Sequence, residues 1–143
     1  MRFKDIFLAF LSGILLIVIF PSLNLSILSW IALVPLLVSL EDKTPKQSFW
    51  LGFLSGFVAF GGILYWLALM LVKYGQLSIT VSLLVLIILA VYLALYVAVF
   101  ALLFRFWTIR FPSSRFTFIY GAAVWVALEL LRTYVFTGFP WAL

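Results

Sequence analysis

Residues 77–104 read LSITVSLLVLIILAVYLALYVAVFALLF, 28 positions without one charged side chain. Wound as an α-helix at ~1.5 Å per residue, the stretch is about 42 Å long, which exceeds a ~30 Å hydrocarbon core. A rod of that length crosses a bilayer and must tilt or project from it. Apolar runs continue on both sides. Working outward, residues 48–72 and 116–136 are each long enough to span, while 3–20 and 25–40 are shorter, and Pro35 interrupts the latter. The two short runs suit a shallow hairpin. The last run is closed by Thr137-Gly138-Phe139-Pro140, with Gly just past the helix and Pro two residues on, a strong stop signal. The expected fold class is therefore all-α: a polytopic transmembrane bundle of about five spanning helices in one domain, residues 1–143.

The whole composition excludes the alternatives. Of 143 residues 68% are hydrophobic and 9% charged, against roughly 45–50% and about 25% in soluble domains. A chain this short cannot enclose that much apolar surface, and disorder requires the opposite composition. There is no Cys and no His. These residues thus supply no disulfide, thiol nucleophile, thiolate metal site or imidazole base. The net charge of +5 forms no stripe of the sort that grips a phosphate backbone, so nucleic acid is not an expected partner.

The basic residues instead set orientation. With the N-terminus cytoplasmic, Arg2, Lys4, Lys43, Lys46, Arg105, Arg110 and Arg115 face the cytoplasm, Lys73 faces outward, and Arg132 lies within the final apolar run. Losing one span would scramble this seven-to-one bias. The segment 136–143 is then on the outer side. Arg2 and Lys4 before an apolar run also resemble a signal peptide, but no small-x-small cleavage site stands out near Pro21 and another apolar segment follows at once. No internal repeat is apparent, and 105–115 reads as a cytoplasmic loop.

Two faces predict close helix packing. Gly52, Ser55, Gly56 and Ala59 recur along one side of the third helix, and Ala90, Ala94, Ala98 and Ala101 along the fourth, with Tyr92, Tyr96 and Phe100 roughly opposite. Near the outer end of the third helix, Gly61-Gly62 precedes Tyr65-Trp66. The aromatics fit an interfacial belt; the glycine pair alternatively loosens the helix so that the rings line a cleft open to lipid.

The sharpest polar feature is Glu129-x-x-Arg132, whose spacing places both side chains on one helical face. Charge at the membrane centre costs on the order of 2.5–3.5 kcal/mol per group, less toward the interface. Either the two form an intrahelical pair that pins the helix's depth, or Arg132 offers its guanidinium fork to a lipid phosphate while Glu129 holds it in place. Nothing else gathers into a catalytic constellation: Asp5, Glu41 and Asp42 sit in charged flanks.

Residues 52–66, GFLSGFVAFGGILYW, resemble the third membrane helix of bacterial apolipoprotein N-acyltransferases, and 125–141, WVALELLRTYVFTGFPW, resemble that family's E-x-L-R and T-G-F-P-W signature. The stretches 25–41 and 94–104 fit as well. The resemblance implies a membrane domain followed by a nitrilase-like α/β domain outside the membrane. It also implies transfer of a fatty acyl chain from a phospholipid to the lipid-modified N-terminal cysteine of an apolipoprotein, through an acyl-thioester on a catalytic Cys supported by Glu and Lys. It implies the bacterial inner membrane and no metal or dissociable cofactor. Lacking Cys and ending at Leu143, the chain is expected to be an N-terminal piece without the catalytic domain and inactive alone. No catalytic residue carries over. The resemblance places Glu129, Arg132, Thr137, Gly138, Phe139, Pro140 and Trp141 near the cleft where lipid substrates enter, with Tyr65 and Trp66 as further candidates at the outer rim. A small transporter or channel subunit and a non-catalytic membrane partner are the competing expectations. The first calls for ionisable groups facing each other across helices, whereas Glu129 and Arg132 share one.

Overall fold

The computed structural model describes residues 2–19 and 31–135. Every regular element among them is a helix: α1 (Phe3–Ile19), α2 (Val34–Ser39), α3 (Pro45–Ile63), α4 (Tyr65–Lys73), α5 (Ile79–Arg110) and α6 (Thr117–Tyr134). By length and apolarity α5 alone suffices to cross a membrane, and α3 with α4 does so if taken as one span bent by 41°.

Local chemistry sets the ends. Thr44 caps α3 in a reciprocal box: its Oγ1 accepts from the Gln47 amide at 3.3 Å, and Gln47 Oε1 accepts from the Thr44 amide at 3.1 Å, with Pro45 in the first turn. Ser78 Oγ accepts from the Val81 amide to start α5. Pro35 sits in the first turn of α2, where its missing N–H costs nothing, so it opens that short helix. The rest of the expected 25–40 run, through residue 30, lies outside the described residues.

Two boundaries differ from the sequence reading. The 48–72 run, drawn there as one rod, is two helices meeting at Leu64, whose φ −97° and ψ 6° leave the helical well. Gly61-Gly62 lies one turn before the break, where adjacent residues without a Cβ hold a helix least firmly. The 77–104 run continues to Arg110, because nothing interrupts helical geometry until Phe111, which precedes Pro112.

α3 is the central rod. A Cβ built on Gly52 would meet Ala101 Cβ at 2.6 Å and Val97 O at 2.7 Å; one on Gly56 would meet Ala94 Cα at 2.9 Å. Both small-residue strips are buried and face each other: Gly52, Ser55, Gly56 and Ala59 from α3, and Ala90, Ala94, Ala98 and Ala101 from α5. On another side of α3, Gly13 of α1 comes so close that an added Cβ would lie 2.7 Å from Ser55 O. Such backbone approach multiplies the short contacts from which dispersion draws its strength.

One end of this bundle is charged. Lys43 Nζ pairs with Asp5 at 3.0 Å, and Arg105 Nε donates to Lys43 O at 2.6 Å. The starts of α1 and α3 and the last turns of α5 therefore meet there. Asp5 also accepts from the Arg2 amide at 2.8 Å, so both partners of its carboxylate lie at this end. Asp42 adopts a left-handed φ of 57° to turn the chain from α2 toward α3, a conformation Asp tolerates well.

Candidate functional site

α6 starts beside the charged end and lies along α5. Trp125 meets Phe100 edge-to-face at 5.0 Å, and Trp107 stacks on Tyr120 with centroids 4.2 Å apart. These contacts of bulky rings replace the glycine seam used by α3, and they fix the rotation of α6. Gly121 fits the same interface, since a Cβ there would press on the Phe104 ring at 3.0 Å.

That rotation turns the polar pair inward. Arg132 NH2 donates to Glu129 Oε2 at 2.5 Å. Arg132 is 4% exposed, and its guanidinium stands 5.5 Å from the centroid of the Phe60 ring on α3. A narrow cleft around the pair is lined by Phe60, Tyr96, Trp125 and Leu128. A buried guanidinium needs an anion and benefits from an aromatic face, and this site supplies both. Beside it, the Tyr92 and Tyr96 hydroxyls lie 2.7 Å apart. A groove of about 240 Å³ runs from these rings along Leu95, Val99, Leu128 and Leu131 between α5 and α6.

Of the candidate residues, the structure brings together Glu129 and Arg132 and orients both toward the bundle. Here Arg132 is engaged by Glu129 and Phe60 rather than turned toward the lipid. Tyr65 and Trp66 begin α4 directly after the break and are 62% and 44% exposed. They face outward and do not line the Arg132 cleft. Thr137, Gly138, Phe139, Pro140 and Trp141 lie outside the described residues. The Arg132 environment includes two residues that spacing did not single out for it, Phe60 and Tyr96. An apolar ring supporting a cation leaves no pattern along its own helix, and only the crossing of three helices reveals it. No group of three His, Cys, Asp or Glu gathers among the described residues.

Comparison with known proteins gives one consistent result. The family model of the apolipoprotein N-acyltransferase N-terminal domain matches residues 12–143. An apolipoprotein N-acyltransferase of Geobacter metallireducens is 45% identical over 139 residues, covering 97% of this chain and 26% of that relative. Similar enzymes of Pasteurella multocida and Coxiella burnetii are 31% and 28% identical, each over 94% of this chain and 25% and 28% of their own lengths. The chain spans about a quarter of the length of the curated relatives it matches.

Proposed function

The chain belongs to the apolipoprotein N-acyltransferase family, and on that premise we propose that it forms the membrane part of an enzyme that acylates apolipoproteins. In this reading the bundle crosses the bacterial inner membrane five times, over 3–20, 25–40, 48–72, 77–104 and 116–136, with the N-terminus and the charged end cytoplasmic. The acyl donor is a phospholipid and the acceptor is the N-terminal diacylglyceryl-cysteine of an apolipoprotein. Without Cys these residues cannot form the acyl-thioester, and in this reading they turn over no substrate on their own.

The contribution of this domain is to admit and seat a lipid. A two-chain lipid arriving sideways from the bilayer needs apolar walls and a polar contact near headgroup level. The observation that carries the reading is the Glu129–Arg132 pair braced on Phe60, at the end of the bundle away from Lys43 and Asp5. It holds the last turn of α6 against α3. In this reading the segment that follows in sequence, Thr137-Gly138-Phe139-Pro140-Trp141, supplies the headgroup contact on the outer side, with Tyr65 and Trp66 on the rim. Arg132 is a positioning residue for that seat.

The test is Arg132→Ala in the whole enzyme, assayed for acyl-thioester formation against phospholipid concentration. The expected result is a rise of about tenfold in the donor concentration needed, equivalent to ~1.4 kcal/mol lost from a seat no longer held in place, with Arg132→Lys recovering part of it. Unchanged donor dependence at normal protein level would leave Arg132 without a part in seating substrate.

A further inference from the structure

A further cavity lies at the other end of the described bundle. About 380 Å³ in volume, it sits where α2, the last turns of α5 and the first turn of α6 meet, against Val34, Leu37 and Val38 on one side and Phe104 and Phe118 on the other. Its walls are apolar, but Arg105, Thr108 and Glu41 also line it. Arg105 spends Nε on Lys43 O and NH1 on Thr108 Oγ1. Its NH2 keeps no partner among the described residues, and a guanidinium fork so placed is shaped for an oxyanion. The surrounding field is positive. Seven of the nine Lys and Arg residues belong to segments that meet at or flank this end, against three acids: Asp5, Glu41 and Asp42. Asp5 is already engaged by Lys43.

We propose that this cavity is a selective site for one anionic phospholipid of the leaflet at the charged end. One acyl chain lies between Val38 and Phe118, and the phosphate is held by Arg105. Charge complementarity chooses the occupant: an apolar slot ending in a part-free guanidinium within a basic rim suits a negatively charged headgroup better than a zwitterionic one, Glu41 notwithstanding. The lipid proposed here has a structural part, distinct from that of the acyl donor proposed above. It works as a wedge that holds α2 and α6 at their spacing on α5. The proposal requires only that this end meets a lipid leaflet, and it stands or falls separately from the acyl-transfer reading.

The experiment purifies the protein, at the full length its gene encodes, into nanodiscs of phosphatidylcholine with or without phosphatidylglycerol, and counts retained lipids by native mass spectrometry. The expected result is one phosphatidylglycerol kept per protein in preference to phosphatidylcholine. Arg105→Gln should weaken that retention about tenfold, as for loss of one hydrogen bond to a charged group. Because Arg105 also ties down Lys43, a second variant is needed, and Val38→Trp fills the slot without touching the clasp. It should abolish the retained phosphatidylglycerol while the helix content stays unchanged. Equal retention of the two lipids would overturn the headgroup selectivity. No retained lipid, or undiminished retention by Val38→Trp, would overturn the site and leave the cavity to another segment of the same protein.

Discussion

Replacing Gly52 by alanine adds one methyl group at the tightest point of the α3–α5 seam. The new Cβ would stand 2.6 Å from Ala101 Cβ and 2.7 Å from Val97 O, where ordinary contact begins at 3.4 Å. One of the two obstacles is backbone, so no rotamer change relieves it, and the helices must part by about 0.7 Å. A gap of ~0.5–1 Å forfeits a quarter to a half of each dispersion contact it opens. Along this seam Gly56, Ala94, Val97 and Ala98 share that loss. Overpacking of this sort costs about 1–3 kcal/mol, and the better helix propensity of alanine returns at most ~0.5–1 kcal/mol. A net loss of ~1–2 kcal/mol lowers the melting temperature by about 3–6 °C for a chain of this size. The assay is thermal unfolding in detergent followed by far-UV circular dichroism. Gly61→Ala is the internal control, because a Cβ there meets nothing within 4 Å and should leave stability unchanged or slightly raised. If the two variants melt together, the seam does not hold the bundle and the packing argument fails.

Three further outcomes follow from particular contacts. Arg132→Ala leaves the half-buried Glu129 carboxylate without its partner and should cost ~1–3 kcal/mol; a Glu129→Leu/Arg132→Met double variant, which leaves no unpaired charge, should cost less in the same unfolding assay. Trp107→Ala removes the stack on Tyr120 and should loosen α6, losing ~0.5–1.5 kcal/mol beyond the buried area, read as faster proteolysis near Arg115. Asp5→Asn keeps the side chain's shape but removes the charge that pairs with Lys43 at 3.0 Å, and should cost ~0.5–1.5 kcal/mol in the same unfolding assay; an unchanged melting temperature would dismiss the clasp with Lys43.

Much of the scaffold was legible in the sequence because it rests on patterns within single helices. The glycine and alanine strips declare their faces at helical spacing, and those faces do meet. Glu129 and Arg132, three apart, do pair. The breaks were less legible. Gly61-Gly62 warned of weakness, yet the turn at Leu64 depends on how α3 and α4 separately pack, which no single segment states. The direction of Arg132 was hidden for a related reason: two ends were open to it, a lipid phosphate or the bundle, and the choice lies with Phe60 and with the Trp125 and Trp107 contacts that set the rotation of α6. The cavity beside Arg105 likewise belongs to three helices and to none of their sequences.

The central claim is that the charged end and the far ends of α4 and α6 lie on opposite sides of one membrane. Residues 1–143 contain no cysteine, so single substitutions among them, made in a full-length background freed of cysteines elsewhere, report cleanly on side. Lys46→Cys and Lys73→Cys, expressed in intact cells and exposed to a membrane-impermeant maleimide, test it directly. The account expects Lys73→Cys to label from outside and Lys46→Cys to label only after the membrane is opened; labelling of both from the same side would contradict it.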